Sequence, residues 1–78
     1  MQLITLEHIQ IAFGVNAREA ATLLTNANIG PFYGAVFIKG NLIDAYERGH
    51  FNDKFDNVSA LSQAINKAVE DVAKSYHK

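Results

Sequence analysis

The feature that most constrains this fold is a pair of short helices separated by a tight turn, in residues 5–24 (TLEHIQIAFGVNAREAATLL). Apolar side chains recur at helical spacing over residues 6–13, and Thr5 precedes them as a favourable N-cap residue. Gly14 follows at the position where a helix end favours a residue with positive φ. The sequence therefore predicts a first helix over residues 6–13 that stops at Gly14.

A second helix is predicted over residues 17–27. Asn16 is followed three residues later by Glu19, and this capping box marks a helix start. One face of the helix is apolar and includes Ala20 and Leu24, whereas the opposite face is polar. The polar face is formed by Arg18, Thr22 and Thr25.

The middle of the chain predicts a short β-hairpin and a third helix. Residues 32–40 (FYGAVFIKG) are rich in aromatic and β-branched side chains and contain an internal glycine, which is typical of a hairpin. Asn41 and Asp44 then repeat the capping pattern, so a short helix is expected over residues 42–48. Gly49 is expected to end it.

A polar connector, residues 50–58 (HFNDKFDNV), leads to the last helix. Its two aromatic side chains, Phe51 and Phe55, are expected to pack on the core. The last helix is predicted over residues 59–76, because apolar side chains recur mostly three and four residues apart. This apolar stripe consists of Val58, Leu61, Ile65, Ala68, Val72 and Tyr76.

Two interpretations of the stripe stay open. It closes the core of one small domain, or it forms a packing seam between copies of the chain. We expect a mixed arrangement, in which Leu61 and Ile65 pack on the first helix and the connector. Val72 and Tyr76 extend beyond that contact and are expected to form an oligomer interface.

Length and composition predict one small domain without a membrane span. The chain has 78 residues, so a single domain is expected over residues 1–78. Its net charge of −1 predicts no strong electrostatic attraction to nucleic acid or anionic lipid. It has no cysteine, and no apolar run approaches the roughly 20 residues of a membrane span. The N-terminus lacks the features of a signal peptide, so a cytoplasmic location is expected.

Catalysis has little support in the sequence. His8, His50 and His77 are widely spaced and lack the pairing typical of a metal site. Residues 30–40 (GPFYGAVFIKG) contain glycines and a lysine but not the phosphate-loop motif. We therefore expect no enzymatic activity, no metal and no cofactor.

Three segments together resemble the winged-helix DNA-binding domain of the MerR and excisionase type. Residues 5–24 resemble its helix-turn-helix, residues 29–37 (IGPFYGAVF) its wing, and residues 37–49 (FIKGNLIDAYERG) the strand and short helix that close it. The small excisionase and Cox-type proteins of temperate phages are the nearest match in size. The resemblance implies a mostly α fold with a short β-hairpin. It also implies a winged helix-turn-helix core over residues 1–49, followed by the connector over residues 50–58 and an added C-terminal helix over residues 59–78.

The resemblance also implies double-stranded DNA as the partner. The implied function is transcriptional regulation or recombination directionality in a phage or mobile element. In that family the second helix enters the major groove, and the wing contacts the backbone or the minor groove. The corresponding positions of the second helix are Asn16, Ala17, Arg18, Ala21, Thr22 and Thr25. The corresponding positions of the wing are Tyr33 and Lys39.

Arg18 carries the clearest DNA chemistry, because an arginine binds a guanine edge through two hydrogen bonds. The alternative interpretation is a solvated arginine in the first turn of a helix. The family usually has several Arg or Lys residues in the second helix and wing, and this sequence has fewer. A monomer with Arg18, Lys39 and one further cation neutralises only about two or three phosphates, so tight DNA binding requires self-association.

A second functional hypothesis is a winged-helix frame used for protein binding, such as a small phage-encoded inhibitor or adaptor. The near-neutral charge favours it, as does the apolar side chain of Ile11, which lies off the core stripe of the first helix. The order of helices, turn and hairpin favours DNA binding. A DNA titration at low and moderate salt distinguishes the two.

Overall fold

The computed structural model describes residues 3–29 and 36–76, and this part of the chain is mostly helical with one two-stranded antiparallel sheet. Its elements in chain order are β1 (Leu3–Thr5), α1 (Leu6–Phe13), α2 (Ala17–Asn26), β2 (Val36–Ile38), α3 (Lys39–Glu47) and α4 (Val58–Tyr76). The predicted mostly α fold with a short pair of strands is confirmed. Within the described ranges, no helix has both the length and the apolar character needed to cross a bilayer.

The two predicted helix starts in the first part of the chain are confirmed, together with the turn between them. The backbone N–H of Thr5, the N-cap residue of α1, donates to Nδ1 of His8 at 2.9 Å. His8 is therefore the third helical residue of the capping box at the start of α1. Gly14 has a φ of 67°, which is the left-handed conformation that ends α1. Asn16 Oδ1 accepts from the backbone N–H of Glu19 at 2.8 Å, and Glu19 Oε1 accepts from the N–H of Asn16 at 3.2 Å. The turn is therefore held at both ends by local hydrogen bonds.

The strand pair differs from the prediction in the position of one strand. Both strands are expected within residues 32–40, whereas the structure pairs Val36–Ile38 with Leu3–Thr5 near the N-terminus. Ile4 lies opposite Phe37 in this pairing, and both side chains are buried. The burial of two apolar side chains on one face explains the register, because a slip of one residue would expose them. Residues 32–35 of the predicted hairpin lie outside the described residues.

The third helix begins earlier than the capping pattern predicts. α3 starts at Lys39, its N-cap Ile38 makes no side-chain hydrogen bond, and Asn41 lies inside the helix. The expected cap at Asn41 is therefore wrong. The physical reason is packing: Leu42 and Ala45 are both fully buried, so tertiary contacts hold this helix without a side-chain cap.

The last helix starts at Val58, one residue before the predicted start, and Asn57 caps it. Asn57 Oδ1 accepts from the backbone N–H of Ala60 at 2.8 Å. Leu61, Ile65 and Ala68 are fully buried, and α4 packs mainly against α1 and also contacts α3. The expectation that Leu61 and Ile65 close the core is confirmed.

The connector is anchored by its aromatic side chains, as predicted. The rings of Phe51 and Phe55 meet the ring of Phe13 edge to face, with centroids 5.1 and 5.0 Å away. Phe51 is buried and has a φ of 65°, so the chain turns sharply there. The Tyr46 hydroxyl donates to the Phe55 carbonyl oxygen at 2.7 Å. These contacts hold the connector against the C-terminal end of α1, next to the turn that leads into α2.

Candidate nucleic-acid interface

The second helix presents its predicted binding face to solvent. Ala20 and Leu24 are buried and attach α2 to the core. At about 100° per residue, the outward positions of the helix span an arc of roughly 140°. All six predicted groove positions of this segment are exposed, namely Asn16, Ala17, Arg18, Ala21, Thr22 and Thr25. Five of them belong to α2, and Asn16 is its N-cap residue, whose side-chain oxygen accepts from the backbone N–H of Glu19.

Within this face, Thr22 is already engaged by its own helix. Its hydroxyl donates to the carbonyl oxygen of Arg18 at 3.0 Å, one turn earlier. Because the hydroxyl has one proton and donates it to Arg18, only its oxygen remains free, as an acceptor. In this conformation the Thr22 hydroxyl does not donate to a phosphate. The methyl group of Thr22 is the part that suits contact with a thymine methyl.

A shallow cleft beside α2 brings a further cation to this face. It has a volume of about 300 Å³. Its lining residues are Val15, Arg18, Glu19, Thr22, Leu23 and Lys54. Lys54 belongs to the connector, so it is distant in sequence from the second helix, and sequence reasoning did not nominate it. The available signal was the pair of aromatic side chains around it, which predicted that the connector packs on the body of the domain.

The wing candidates have a different outcome. Lys39 is the first residue of α3, and its Nζ donates to Oδ1 of Asn66 on α4 at 2.9 Å. This lysine therefore links two helices in addition to any role toward a ligand. Tyr33 lies outside the described residues. Arg48 is the C-cap residue of α3, and its Nε donates to the carbonyl oxygen of Asp44 at 3.4 Å.

The candidate oligomer interface lies where α4 leaves the core. Val72 is half-buried, and Tyr76 is 77% exposed. Two other large apolar side chains of the described residues are exposed, Leu3 at 52% on β1 and Ile11 at 44% on α1. The first half of the apolar stripe is thus core, whereas its second half emerges into solvent.

In the described ranges, no group of three or more His, Cys, Asp or Glu side chains is placed to hold a metal ion.

Comparisons with models of protein families, with curated proteins and with solved structures find no match to this chain.

Proposed function

We propose that this chain is a small DNA-binding protein that docks α2 in the major groove. It would act as a transcriptional regulator or recombination directionality factor of a phage or mobile element, in the cytoplasm, without catalytic activity of its own. The observation that carries the proposal is the exposed surface of α2 and its N-cap, where all six nominated residues are exposed to solvent. Local caps and the Gly14 turn already hold this helix in place, so little ordering is needed on binding.

The chemistry of the face suits direct contact with bases. Arg18 stands in the first turn of α2, where a guanidinium can donate two hydrogen bonds to O6 and N7 of guanine. Ala17 and Ala21 are small, so the helix backbone can approach the base edges closely. Their methyl groups and those of the threonines suit contact with thymine methyls.

A monomer of this chain is expected to bind DNA weakly, and self-association would raise its affinity for DNA. The net charge of −1 gives little general attraction to DNA, and each neutralised phosphate contributes separately. Two copies joined through Val72 and Tyr76 would bind adjacent sites, and the second contact then benefits from a high effective concentration. We therefore propose a homo-oligomer that assembles through the C-terminal end of α4.

The test is a titration of labelled duplexes selected from a random pool, at low and at moderate salt. Arg18→Ala is expected to weaken binding to the selected site by about 1–3 kcal/mol, the value of a good bidentate base contact. Arg48→Ala removes the same charge from the end of α3 and is expected to leave site preference unchanged. Circular dichroism checks that both variants are folded.

Two outcomes of this titration would contradict the proposal. If the parent binds no duplex at low salt, DNA binding is excluded. If Arg18→Ala binds the selected site as the parent does, α2 is not the reading element.

The second candidate function is protein binding. It is favoured by two observations. The apolar side chains of Ile11 and Leu3 are exposed, and the chain has a near-neutral net charge. Under this hypothesis the chain is an inhibitor or adaptor that uses the winged-helix frame to bind a protein target. A folded parent that binds no duplex at low salt would favour this function over DNA binding.

A further inference from the structure

Lys54 is the cation that the tertiary structure adds to the exposed face of α2. It lies with Arg18 and Thr22 in the lining of the same cleft of about 300 Å³. Lys54 itself is exposed, so its ammonium group is accessible from solvent. The cleft therefore joins a cation of the connector to a cation of the second helix.

The main chain around Lys54 is held in place by the domain. The backbone N–H of Lys54 donates to the carbonyl oxygen of Phe51 at 2.9 Å, and Phe51 is buried. On the other side, the Phe55 ring packs against Phe13, and the Phe55 carbonyl oxygen accepts from the Tyr46 hydroxyl. Lys54 thus stands between two anchored aromatic residues, and only its side chain must be ordered to make a contact.

The charge of the cleft favours an anion. Two cations line it, against the single carboxylate of Glu19, which already accepts from the backbone N–H of Asn16. Asp53 and Asp56 flank Lys54 in the connector, but both are exposed and neither belongs to the lining. The side chains that line the cleft therefore carry a formal charge of +1, from two cations and one carboxylate, on a chain whose net charge is −1.

We propose that Lys54 binds a phosphate of the DNA backbone beside the base pairs that α2 reads. This inference rests on the proposed DNA-binding function. A helix fills a major groove about 12 Å wide, so phosphates border it on both sides when Arg18 reaches a base edge. Lys54 then faces the phosphates along one border, and the connector becomes a DNA-contacting element in addition to the second helix.

The experiment compares the salt dependence of DNA binding in Lys54→Gln with that of the parent. The slope of log K against log salt is negative, and its magnitude is expected to decrease by about 0.9, the value of one phosphate contact. The loss of affinity is expected to be the same for selected and for random duplexes, because a phosphate contact carries no sequence information. Lys54→Arg keeps the charge and is expected to keep the slope.

Lys74→Gln is the matched control. A rise of about 1.5 Å per residue places Lys74 roughly 25 Å along α4 from Asn57 at the end of the connector. The control removes the same charge, lies outside the cleft lining, and is expected to leave the slope unchanged. Unfolding midpoints and solution masses of both variants check that fold and assembly are preserved.

The results distinguish failure of this inference from failure of the function on which it rests. An unchanged slope in Lys54→Gln overturns the inference while DNA binding by α2 stands. An equal fall in Lys74→Gln also overturns it, because net charge alone would then explain the effect. A parent that binds no duplex at low salt overturns both.

Discussion

Two glycines of this chain have opposite conformational requirements, and each gives a prediction for a single residue. Gly14 has a φ of 67°, whereas Gly40 lies in the first turn of α3. A Cβ on Gly14 would meet nothing within 4 Å, so the cost of Gly14→Ala is purely that of the left-handed backbone. That cost is about 1–2 kcal/mol of unfolding free energy.

Gly40→Ala is the matched substitution. Its added Cβ would meet the Cγ2 of Ile38 at 4.0 Å, which is an ordinary contact. Removing a glycine from a helix is then expected to raise the unfolding free energy by roughly 0.5–1 kcal/mol. Urea denaturation of both variants measures the two changes in unfolding free energy. If the Gly14→Ala variant is as stable as the parent, the left-handed conformation of the turn is contradicted.

At the scale of the element, α4 is divided into a buried and an emergent half. Ile65 is fully buried against the body of the domain, whereas Tyr76 is 77% exposed. Ile65→Ala is expected to lower the unfolding free energy by about 2–5 kcal/mol, because it leaves a cavity in a small core. This is a large part of the roughly 5–15 kcal/mol that stabilises a typical domain.

Tyr76→Ala serves as the control on the same helix. It removes a larger side chain from a solvated position, so a change within about 0.5 kcal/mol is expected. The comparison is made at low protein concentration, where assembly does not contribute. Equal losses for Ile65→Ala and Tyr76→Ala would contradict the division of α4.

At the scale of the whole molecule, the proposed assembly makes stability depend on concentration. If copies join through Val72 and Tyr76, the Tm of the parent rises with protein concentration, since association stabilises the folded state by mass action. Val72→Glu is expected to give a folded monomer, as is a chain that ends at Val69. Lys74→Glu places the same charge on an exposed position of the helix and is expected to keep the mass of the parent.

Sedimentation measures these masses. A parent that is already monomeric at high concentration would contradict the proposed assembly. Self-association could then not explain tight binding to adjacent DNA sites.

The first two helices could be predicted because their ends depend on neighbours only a few residues away. Thr5 with His8, Asn16 with Glu19, and the left-handed Gly14 satisfy backbone groups locally. The amphipathic spacing that buries Leu61 and Ile65 is likewise carried by one continuous helix. In each case the amino-acid types near the site were sufficient.

The tertiary structure alone decided which distant segments meet. Leu3–Thr5 pairs with Val36–Ile38 because Ile4 and Phe37 then share the buried face. Lys54 lines the same cleft as Arg18 because Phe51 and Phe55 pack the connector against the ring of Phe13. Such contacts depend on how apolar faces fit together in space, and spacing along the chain does not encode that fit. The first two helices, the turn between them and the last helix were thus determined by the sequence itself. The start of the third helix, the pairing of the strands and the second cation of the candidate site were determined by packing.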